Sequence, residues 1–247
     1  MSTPRADKPV VLVTGSSRGL GRAIAIGFGR RGYRVAANYR MDTVGALAST
    51  RAIEAEGGEA VAYQADVRDA KAVAAMVAAI TARWGRLDVL VCNAATAADE
   101  FVVRLAEDSW DLVLGTILTG AFHCLQAAGS VMQRQGGGAV VFIGSFAGMQ
   151  GGSGQAPYAS AKAGMLGLMQ SVAREWGPDR IQINMILPGW HATALTGYKD
   201  DLTLAPFAPV LNHGTTMAGV ADFVVAVAAL PDVSGQVFNL DSRILPR

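Results

Sequence analysis

Tyr158 and Lys162 are the residues whose types and spacing best suit chemistry, because they stand four positions apart. In an α-helix, residues at this spacing lie above one another on one face, so a phenol and an ammonium would meet at the same place. A free phenol has a pKa of about 10, and a fixed cation beside it favours the phenolate and lowers that pKa. The spacing therefore predicts a tyrosine tuned for general acid or base chemistry, with a chance pair on a helix surface as the alternative.

A glycine-rich turn joins the first predicted strand to the first predicted helix and reads Thr14-Gly15-Ser16-Ser17-Arg18-Gly19-Leu20-Gly21. Glycines let the backbone turn tightly and approach a pyrophosphate. The helix that follows presents unpaired N–H groups and the positive end of its dipole to that anion. The alternative is a tight turn without a ligand. We expect a dinucleotide cofactor here, bound through Gly15, Ser17, Arg18, Gly19, Leu20 and Gly21.

The end of the second predicted strand indicates which dinucleotide binds. NAD sites usually carry an Asp or Glu there for the ribose hydroxyls, whereas this chain has Asn38-Tyr39-Arg40. The guanidiniums of Arg18 and Arg40 would instead hold a 2′-phosphate. The sequence therefore predicts NADP (NADPH) as the cofactor, with Arg40 as an ordinary solvated charge in the alternative interpretation.

Strand and helix patterns alternate along the whole chain. Apolar, β-branched runs predict strands at 10–14, 33–38, 59–65, 87–92, 139–143, 181–186 and 236–240, and helical periodicity predicts helices at 19–31, 43–56, 70–84, 110–133, 158–176 and 217–230. Strands separated by helices imply right-handed crossovers and a parallel sheet. We predict one α/β domain over residues 1–247: a Rossmann-type doubly wound sheet of seven parallel strands with helices on both faces.

The composition excludes several classes of protein. Hydrophobic residues make up 51% and charged residues 17%, with a net charge of +1, so we expect neither a nucleic acid nor another polyanion as partner. The first residues lack the apolar core of a signal peptide, and the longest apolar stretches, near 223–230, are expected to be far too short to span a bilayer. A soluble, cytoplasmic protein is expected. Cys92 and Cys124 are expected to be small buried side chains, and the three histidines lack the spacing of metal ligands.

Motifs at the ends of later strands complete a resemblance. They are Asp66-Val67, Asn93-Ala94-Ala95, Ser145, and Pro188-Gly189 with Thr193. Together with the glycine turn and the Tyr158/Lys162 pair, they resemble the short-chain dehydrogenase/reductase family, in the same order and over nearly the whole chain. Within that family, Arg18 and the run from Gly154 to Tyr158 are most similar to the 3-oxoacyl-(acyl carrier protein) reductases and their acyl-CoA relatives.

The resemblance implies a role for each motif. Ser145 is expected to hydrogen-bond the substrate carbonyl, Tyr158 to deliver the proton, and Lys162 to hold the nicotinamide ribose and lower the pKa of Tyr158. The other residues are expected to line the cofactor: Asp66 and Val67 at the adenine, Asn93 with Ala94 and Ala95 along the cleft, and Pro188, Gly189 and Thr193 beside the nicotinamide. The expected function is an NADPH-dependent ketoreductase of 3-oxoacyl thioesters. The alternatives are a reductase or dehydrogenase of another ketone or alcohol, and a nucleotide-binding protein without turnover.

Three positions depart from the family pattern. Ile117 stands where the family usually has an asparagine that is thought to hold a relay water, which favours the alternative without turnover. Ala95 replaces a glycine and adds a methyl group near the cofactor. Asp241-Ser242-Arg243 replaces a glycine pair, which is expected to alter subunit contacts.

The resemblance also implies partners. The helices at 110–133 and 158–176 are expected to pair across a two-fold axis in a homotetramer or homodimer. Arg134 and Arg174 resemble positions whose cations dock an acidic acyl carrier protein, with two ordinary surface arginines as the alternative. The segment 190–214 is expected to cover the substrate; its apolar side chains suggest either a lid or packing on the sheet, and they are Tyr198, Leu202, Leu204 and Phe207.

Overall fold

Seven parallel strands form one sheet in the order β3-β2-β1-β4-β5-β6-β7, in a computed structural model that describes residues 8–191, 193, 210–211, 213–240 and 243. The strands are β1 (Val10–Val13), β2 (Arg34–Tyr39), β3 (Glu59–Gln64), β4 (Val89–Cys92), β5 (Gly138–Ile143), β6 (Ile181–Leu187) and β7 (Val237–Asn239). The strand order reverses between β1 and β4, where Leu12 lies beside Leu90. The predicted doubly wound sheet is confirmed, and the reversal opens a crevice at the carboxyl ends of β1 and β4.

Helices cover both faces of the sheet. They are α1 (Gly19–Arg30), α2 (Thr43–Ala55), α3 (Ala70–Trp84), α4 (Glu107–Leu114), α5 (Gly120–Gln135), α6 (Ala147–Gln150), α7 (Ala156–Trp176) and α8 (Met217–Ala228). One apolar cluster joins the sheet to α3, α5 and α7, and a second joins it to α1, α2 and α8. Successive residues of a strand face opposite clusters: Leu12 belongs to the first, and Val11 and Val13 belong to the second.

Short polar side chains and glycines set the helix ends. The Asp42 carboxylate accepts from the Gly45 N–H at 2.8 Å and begins α2, and Asp69 accepts from the Lys71 N–H at 2.8 Å and begins α3. Helix α5 ends at Gly136, which has a φ of +82°. A glycine in this left-handed conformation is a common end of a helix.

The long helix before β5 is divided into three parts. Helix α4 passes into one π-helical turn, Gly115–Thr119, and α5 follows without a gap. The sequence predicts one regular α-helix over 110–133, so the π turn within it was not predicted. A π turn widens the helix locally and changes the direction of the side chains that follow. Ile117 lies within this turn and is only 1% exposed.

By length and composition alone, the combined segment Glu107–Gln135 is long and apolar enough to cross a membrane, so the expectation that the longest apolar stretches lie near 223–230 is wrong. In this structure 44% of its apolar window is buried. Cys124, Leu125 and Ala128 pack in the first apolar cluster against the sheet. Covering a parallel sheet requires such an apolar helix, so its composition is explained by the fold.

The remaining boundaries differ from the predicted ones by a few residues. Helix α7 begins at Ala156, two residues earlier than predicted, with Pro157 in its first turn. The last predicted strand, 236–240, is shortened to Val237–Asn239. Several predicted features lie outside the described residues: the amino-terminal segment, the apolar side chains of the expected substrate cover, and Asp241 with Ser242.

Candidate active site

The glycine turn lies at the carboxyl end of β1 and has no space for side chains at two positions. Gly15 has a φ of +64°, and a Cβ there would lie 2.9 Å from the Ala94 Cα. A Cβ on Gly21 would lie 2.4 Å from the Gly15 carbonyl oxygen. Helix α1 begins at Gly19, and no side chain caps its first N–H groups. A tight turn that leads into an uncapped helix N-terminus fits a pyrophosphate.

Thr14 and Asn93 fasten this turn to the end of β4. The Thr14 hydroxyl accepts from the backbone N–H groups of Asn93 at 2.9 Å and Ala94 at 3.0 Å. The Asn93 amide donates to the carbonyl oxygens of Thr14 at 2.8 Å and Gly15 at 3.1 Å. The Asn93 side chain therefore holds the turn, and its contact with the cofactor stays a prediction. Thr14 was not among the predicted site residues.

Asn38 performs a similar task on the other side of the turn. Its side chain is 2% exposed. The amide oxygen accepts from the Gly15 N–H at 3.2 Å, and the amide nitrogen donates to the Ala65 carbonyl at 3.0 Å. Asn38 was predicted to contact the cofactor. In the structure, both its amide oxygen and its amide nitrogen are hydrogen-bonded to backbone atoms, so its side chain stabilises the glycine turn. Tyr39 follows Asn38 as the last, half-buried residue of β2.

Arg22 is a functional neighbour that sequence reasoning missed. Its guanidinium donates to the carbonyls of Ser17 and Gly45 and, at 2.9 Å, to the Ser49 hydroxyl. The Ser49 hydroxyl in turn donates to the Ser16 carbonyl at 2.8 Å. The glycine turn is thus joined to the first turns of α2. The sequence feature that could have indicated Arg22 is its position directly after Gly21, the last glycine of the turn.

Arg18 and Arg40 are both exposed. Within the described part of the chain, neither guanidinium makes an ion pair or a hydrogen bond. The charge of Arg40 is one of the causes that hold the pKa of Asp66 below its usual value; the first cause is the hydrogen bond from Arg68. Two exposed cations therefore lie near the glycine turn, one on the turn itself and one directly after β2.

Ser145 and Tyr158 are brought together at the carboxyl end of β5. The Ala147 N–H donates to the Ser145 Oγ at 3.2 Å, and the Ser145 hydroxyl is near enough to the Tyr158 phenol to lower the pKa of that phenol. Gly148 allows α6 to approach α7, since a Cβ there would lie 2.8 Å from the Lys162 Cβ. The Lys162 Nζ lies 5.7 Å from the centre of the Tyr158 ring and donates to the Ile143 carbonyl at 2.6 Å. The three predicted catalytic residues are therefore neighbours.

The pKa of Tyr158 moves in the direction opposite to the predicted one. Burial raises this pKa, the hydrogen bond with Ser145 lowers it, and the charge of Asp99 raises it. Burial also lowers the pKa of Lys162 to about 8. Burial disfavours every charged form and is the largest effect on the pKa of Tyr158, so the predicted lowering of this pKa is not observed. Tyr158 is consequently protonated at neutral pH, the form that an acid requires.

Ile117 lines a small cavity between the π turn and the ends of β1 and β4. The cavity has a volume of about 10 Å³ and is also lined by Thr14, Thr116, Cys92 and Cys124. A volume of roughly this size is the least that one water molecule occupies. Both cysteines are free and buried, as predicted. Burial raises the pKa of both thiols, that of Cys124 to about 12.

The segment after β6 reaches across the crevice. The Pro188 carbonyl accepts from the Thr215 hydroxyl at 2.7 Å and from the His191 Nε2 at 3.0 Å. Gly189 has a φ of +87°. The Thr193 Cγ2 would be 3.8 Å from a Cβ on Gly19. Thr193 therefore lies beside the N-terminus of α1, close to the glycine turn.

Asp66 and Val67 follow the carboxyl end of β3. The Asp66 carboxylate is paired with Arg68, whose terminal nitrogen lies 2.7 Å away. The Val67 carbonyl lies 2.9 Å from the His123 Nδ1, and Val67 itself is 5% exposed. Arg68 and His123 are not among the predicted residues. The position of Arg68, two residues after Asp66, could have indicated their ion pair. Nothing in the sequence indicates the contact of His123.

Arg134 and Arg174 lie apart from this site. Both are exposed residues in the last turns of α5 and α7. In a parallel α/β fold, the helix C-termini lie at the amino edge of the sheet. Tyr158 is in the first turn of α7, so sixteen residues, or about 24 Å of helix, separate it from Arg174.

The chain belongs to the short chain dehydrogenase family, whose model matches residues 9–202. The fold and the Ser145–Tyr158–Lys162 group define it as an oxidoreductase of that family.

Two similar proteins are described as reductases. A 3-oxoacyl-(acyl-carrier-protein) reductase of Synechocystis sp. is 36% identical over 238 residues, which cover 96% of each chain. A protein of the same description from Staphylococcus aureus is 38% identical over 236 residues, or 93% of this chain and 95% of the relative. A solved structure described as a short-chain dehydrogenase/reductase from Burkholderia xenovorans has a TM-score of 0.88 at 32% identity and covers 95% of both chains.

Proposed function

We propose that this protein is an NADPH-dependent ketoreductase that converts a 3-oxoacyl thioester into the 3-hydroxyacyl product. The observation that carries the proposal is the placement of Tyr158 near Ser145 and beside buried Lys162, on the same edge of the sheet as the glycine turn. The curated relatives named as 3-oxoacyl reductases support the substrate class.

The residues divide the chemistry among them. When bound, the nicotinamide cofactor supplies a hydride to the carbonyl carbon. Ser145 and Tyr158 donate hydrogen bonds to the carbonyl oxygen, where negative charge develops, and so lower the barrier. Tyr158 then gives its phenolic proton to that oxygen and completes the alcohol. The ammonium of Lys162, 5.7 Å from the ring centre, favours the phenolate that remains.

The cofactor preference rests on charge. The glycine turn and the uncapped start of α1 suit the pyrophosphate of either dinucleotide. Arg18 and Arg40 are exposed cations at the adenosine side, and β2 ends in Asn38-Tyr39 without a carboxylate. A 2′-phosphate is attracted by two guanidiniums, and a carboxylate that would repel it is missing from the end of β2.

The decisive experiment measures NADPH oxidation with acetoacetyl-CoA and with a panel of simple ketones. We expect turnover on the thioester and weaker turnover on the simple ketones. Turnover confined to an unrelated ketone or alcohol would move the assignment to another reductase of the family. Tight NADPH binding without turnover on any substrate would favour the nucleotide-binding alternative, to which Ile117 in place of the relay asparagine already points.

An acyl carrier protein is a proposed partner through Arg134 and Arg174. Both side chains are exposed cations in the last turns of α5 and α7. The distance of Arg174 from Tyr158 along α7 requires the carrier to reach the crevice from the far edge of the sheet. Replacing both with Glu should slow turnover of the carrier-bound substrate and spare acetoacetyl-CoA. Equal losses on both substrates, or no loss on either, would assign them to the ordinary surface.

A homotetramer or homodimer is the proposed assembly. Helices α5 and α7 lie on the same face of the sheet, and Phe122 of α5 is a large apolar side chain that is 43% exposed. Such a face is stabilised by a second copy related by a two-fold axis. Light scattering should give a multiple of 25.6 kDa at micromolar concentration.

A further inference from the structure

Arg68 lies close to the proposed cofactor site and has no role in the chemistry described above. The segment that carries it follows β3 and is tied to the glycine turn by Asn38, whose amide accepts from the Gly15 N–H at 3.2 Å and donates to the Ala65 carbonyl at 3.0 Å. The Ala65 N–H donates to the Tyr39 carbonyl at 3.0 Å. The segment after β3 is therefore fixed beside the glycine turn and the end of β2, where the adenosine half of the cofactor is expected.

Arg68 holds the Asp66 carboxylate in one orientation. The Arg68 Nη2 donates to the Asp66 Oδ2 at 2.7 Å, the Nε lies 3.1 Å from each carboxylate oxygen, and the Arg68 backbone N–H donates to the Oδ1 at 3.0 Å. A Cβ on Gly115 would lie 3.5 Å from the Arg68 Cδ, so the stem of the arginine lies beside the first residue of the π turn. A planar guanidinium that contacts both oxygens fixes the plane of the carboxylate.

This arrangement leaves one acceptor and one donor next to each other. A carboxylate offers about four lone-pair positions, and the three N–H groups of Arg68 use three of them. The hydrogen bond from Arg68 is the first cause that lowers the pKa of Asp66, so this carboxylate is ionised at neutral pH and can only accept. Within the described residues, the N–H of the adjacent Val67 donates to no protein atom.

We propose that Arg68 is a positioning residue that selects the base of the cofactor: it fixes the Asp66 carboxylate beside the Val67 N–H, and this pair favours adenine over a 6-oxopurine. The inference rests on the proposed dinucleotide cofactor. Adenine presents a 6-amino donor next to the N1 acceptor, which matches the two groups. Hypoxanthine presents the reverse, a 6-oxo acceptor next to an N1–H donor, so two acceptors and two donors would face each other. Arg68 acts through Asp66 and touches no reacting atom.

The expected effect is a change in the ratio of two affinities. The parent should bind NADPH at least about tenfold tighter than reduced nicotinamide hypoxanthine dinucleotide phosphate, because the 6-oxo cofactor leaves polar groups unpaired. In Arg68→Gln the carboxylate can turn. It must then be ordered when adenine binds, and it can move away from a 6-oxo group, so the ratio should fall at least about threefold.

The test is a fluorescence titration of the cofactor-free protein with each of the two reduced cofactors. Both cofactors carry the same charge, so the general effect of removing a cation cancels in the ratio. Arg68→Lys keeps the charge and loses the planar fork, and its ratio should lie between those of the parent and Arg68→Gln. Arg86→Gln is the matched control, because Arg86 also pairs with an aspartate two positions away, Asp88, at 2.6 Å but precedes β4 at the opposite edge of the sheet. It should leave the ratio unchanged.

A second background tests whether Arg68 acts through the carboxylate. Asp66→Ala should itself remove most of the preference for adenine, and adding Arg68→Gln to it should change the ratio less than about 1.5-fold. An unchanged ratio in Arg68→Gln would overturn the proposal, as would a further large change in the Asp66→Ala background.

Two other results would also overturn it. One is a parent that binds both cofactors equally or binds neither. The other is an Arg68→Gln variant that loses its preference for NADPH over NADH and keeps its base selectivity, because Arg68 would then be a ligand of the 2′-phosphate. Binding needs no turnover. A protein that selects adenine through Arg68 but reduces no ketone would therefore refute the proposed reductase activity and leave this inference standing.

Discussion

At the glycine turn, Thr14, Asn38 and Asn93 give their polar groups to backbone atoms, whereas at the start of α7 Tyr158 and Lys162 are titratable groups held in low-polarity surroundings. The first region is fastened by side-chain hydrogen bonds to the backbone of the turn. The second makes fewer bonds, and burial shifts its pKa values. The glycine turn with its bonded side chains, here called the cradle, needs fixed backbone geometry to bind a cofactor. An acid needs a defined protonation state, so the two regions meet different needs.

If this division is right, removing the phenol should damage chemistry and leave the cradle intact. Tyr158→Phe should reduce turnover at least about a hundredfold, because a positioned acid contributes at least that factor. NADPH affinity should stay within about threefold of the parent, since the turn and the helix N-terminus bind the pyrophosphate. Steady-state kinetics and a fluorescence titration of NADPH provide the two numbers. A variant that kept the parent's rate would exclude Tyr158 as the acid.

Adding one methyl group to the turn should have the converse effect. A Cβ on Gly21 would meet the Gly15 carbonyl and the Asn93 amide at 2.4 Å, and overpacking of this kind costs about 1–3 kcal/mol. We expect NADPH affinity to fall roughly tenfold to a hundredfold in Gly21→Ala. Gly167→Ala in α7 is the control, because nothing lies within 4 Å of the added atom and alanine favours a helix by about 1 kcal/mol. Equal affinities in the two variants would show that the turn is less constrained than described.

Cofactor choice is the third test of the cradle. NADPH should bind at least about tenfold tighter than NADH, since one charge-assisted contact supplies roughly 1.5 kcal/mol. The double variant Arg18→Gln/Arg40→Gln should lose most of this preference and keep its NADH affinity. Arg51→Gln, an exposed arginine on α2, should change neither affinity. Equal dissociation constants for both cofactors in the parent would refute the NADP assignment.

The smallest expected change concerns Ile117. Ile117→Asn should alter turnover less than about tenfold, because neither carbonyl binding nor proton donation uses this side chain directly. It should lower the free energy of unfolding by about 1–3 kcal/mol, since an amide would replace a buried apolar group. Ile117→Val controls for lost volume and should cost about 0.5–1.5 kcal/mol. An inactive parent whose turnover is restored by Ile117→Asn would show that the relay asparagine is indispensable and that the chain is a nucleotide-binding protein.

The course of the fold was accessible from the sequence because its signals are local. Apolar runs such as Val10–Val13, glycines at obligatory turns, and the four-residue spacing of Tyr158 and Lys162 each depend on neighbours in the chain. The order of strands and helices, the doubly wound sheet and the position of the glycine turn follow from them. The π turn at Gly115–Thr119 did not, because it depends on how α4 and α5 pack on the sheet.

The electrostatics of the site were decided by tertiary structure alone. Charge spacing in the sequence predicts a lowered pKa for Tyr158, but burial, which no short segment encodes, raises it. The position of Asn38 near the end of a strand predicts a ligand contact, but its amide is hydrogen-bonded to Gly15 after β1 and to Ala65 after β3. The sequence by itself determined which groups are present and where the helices and strands carry them; solvent exclusion and contacts between distant segments determined their charge states and hydrogen-bond partners.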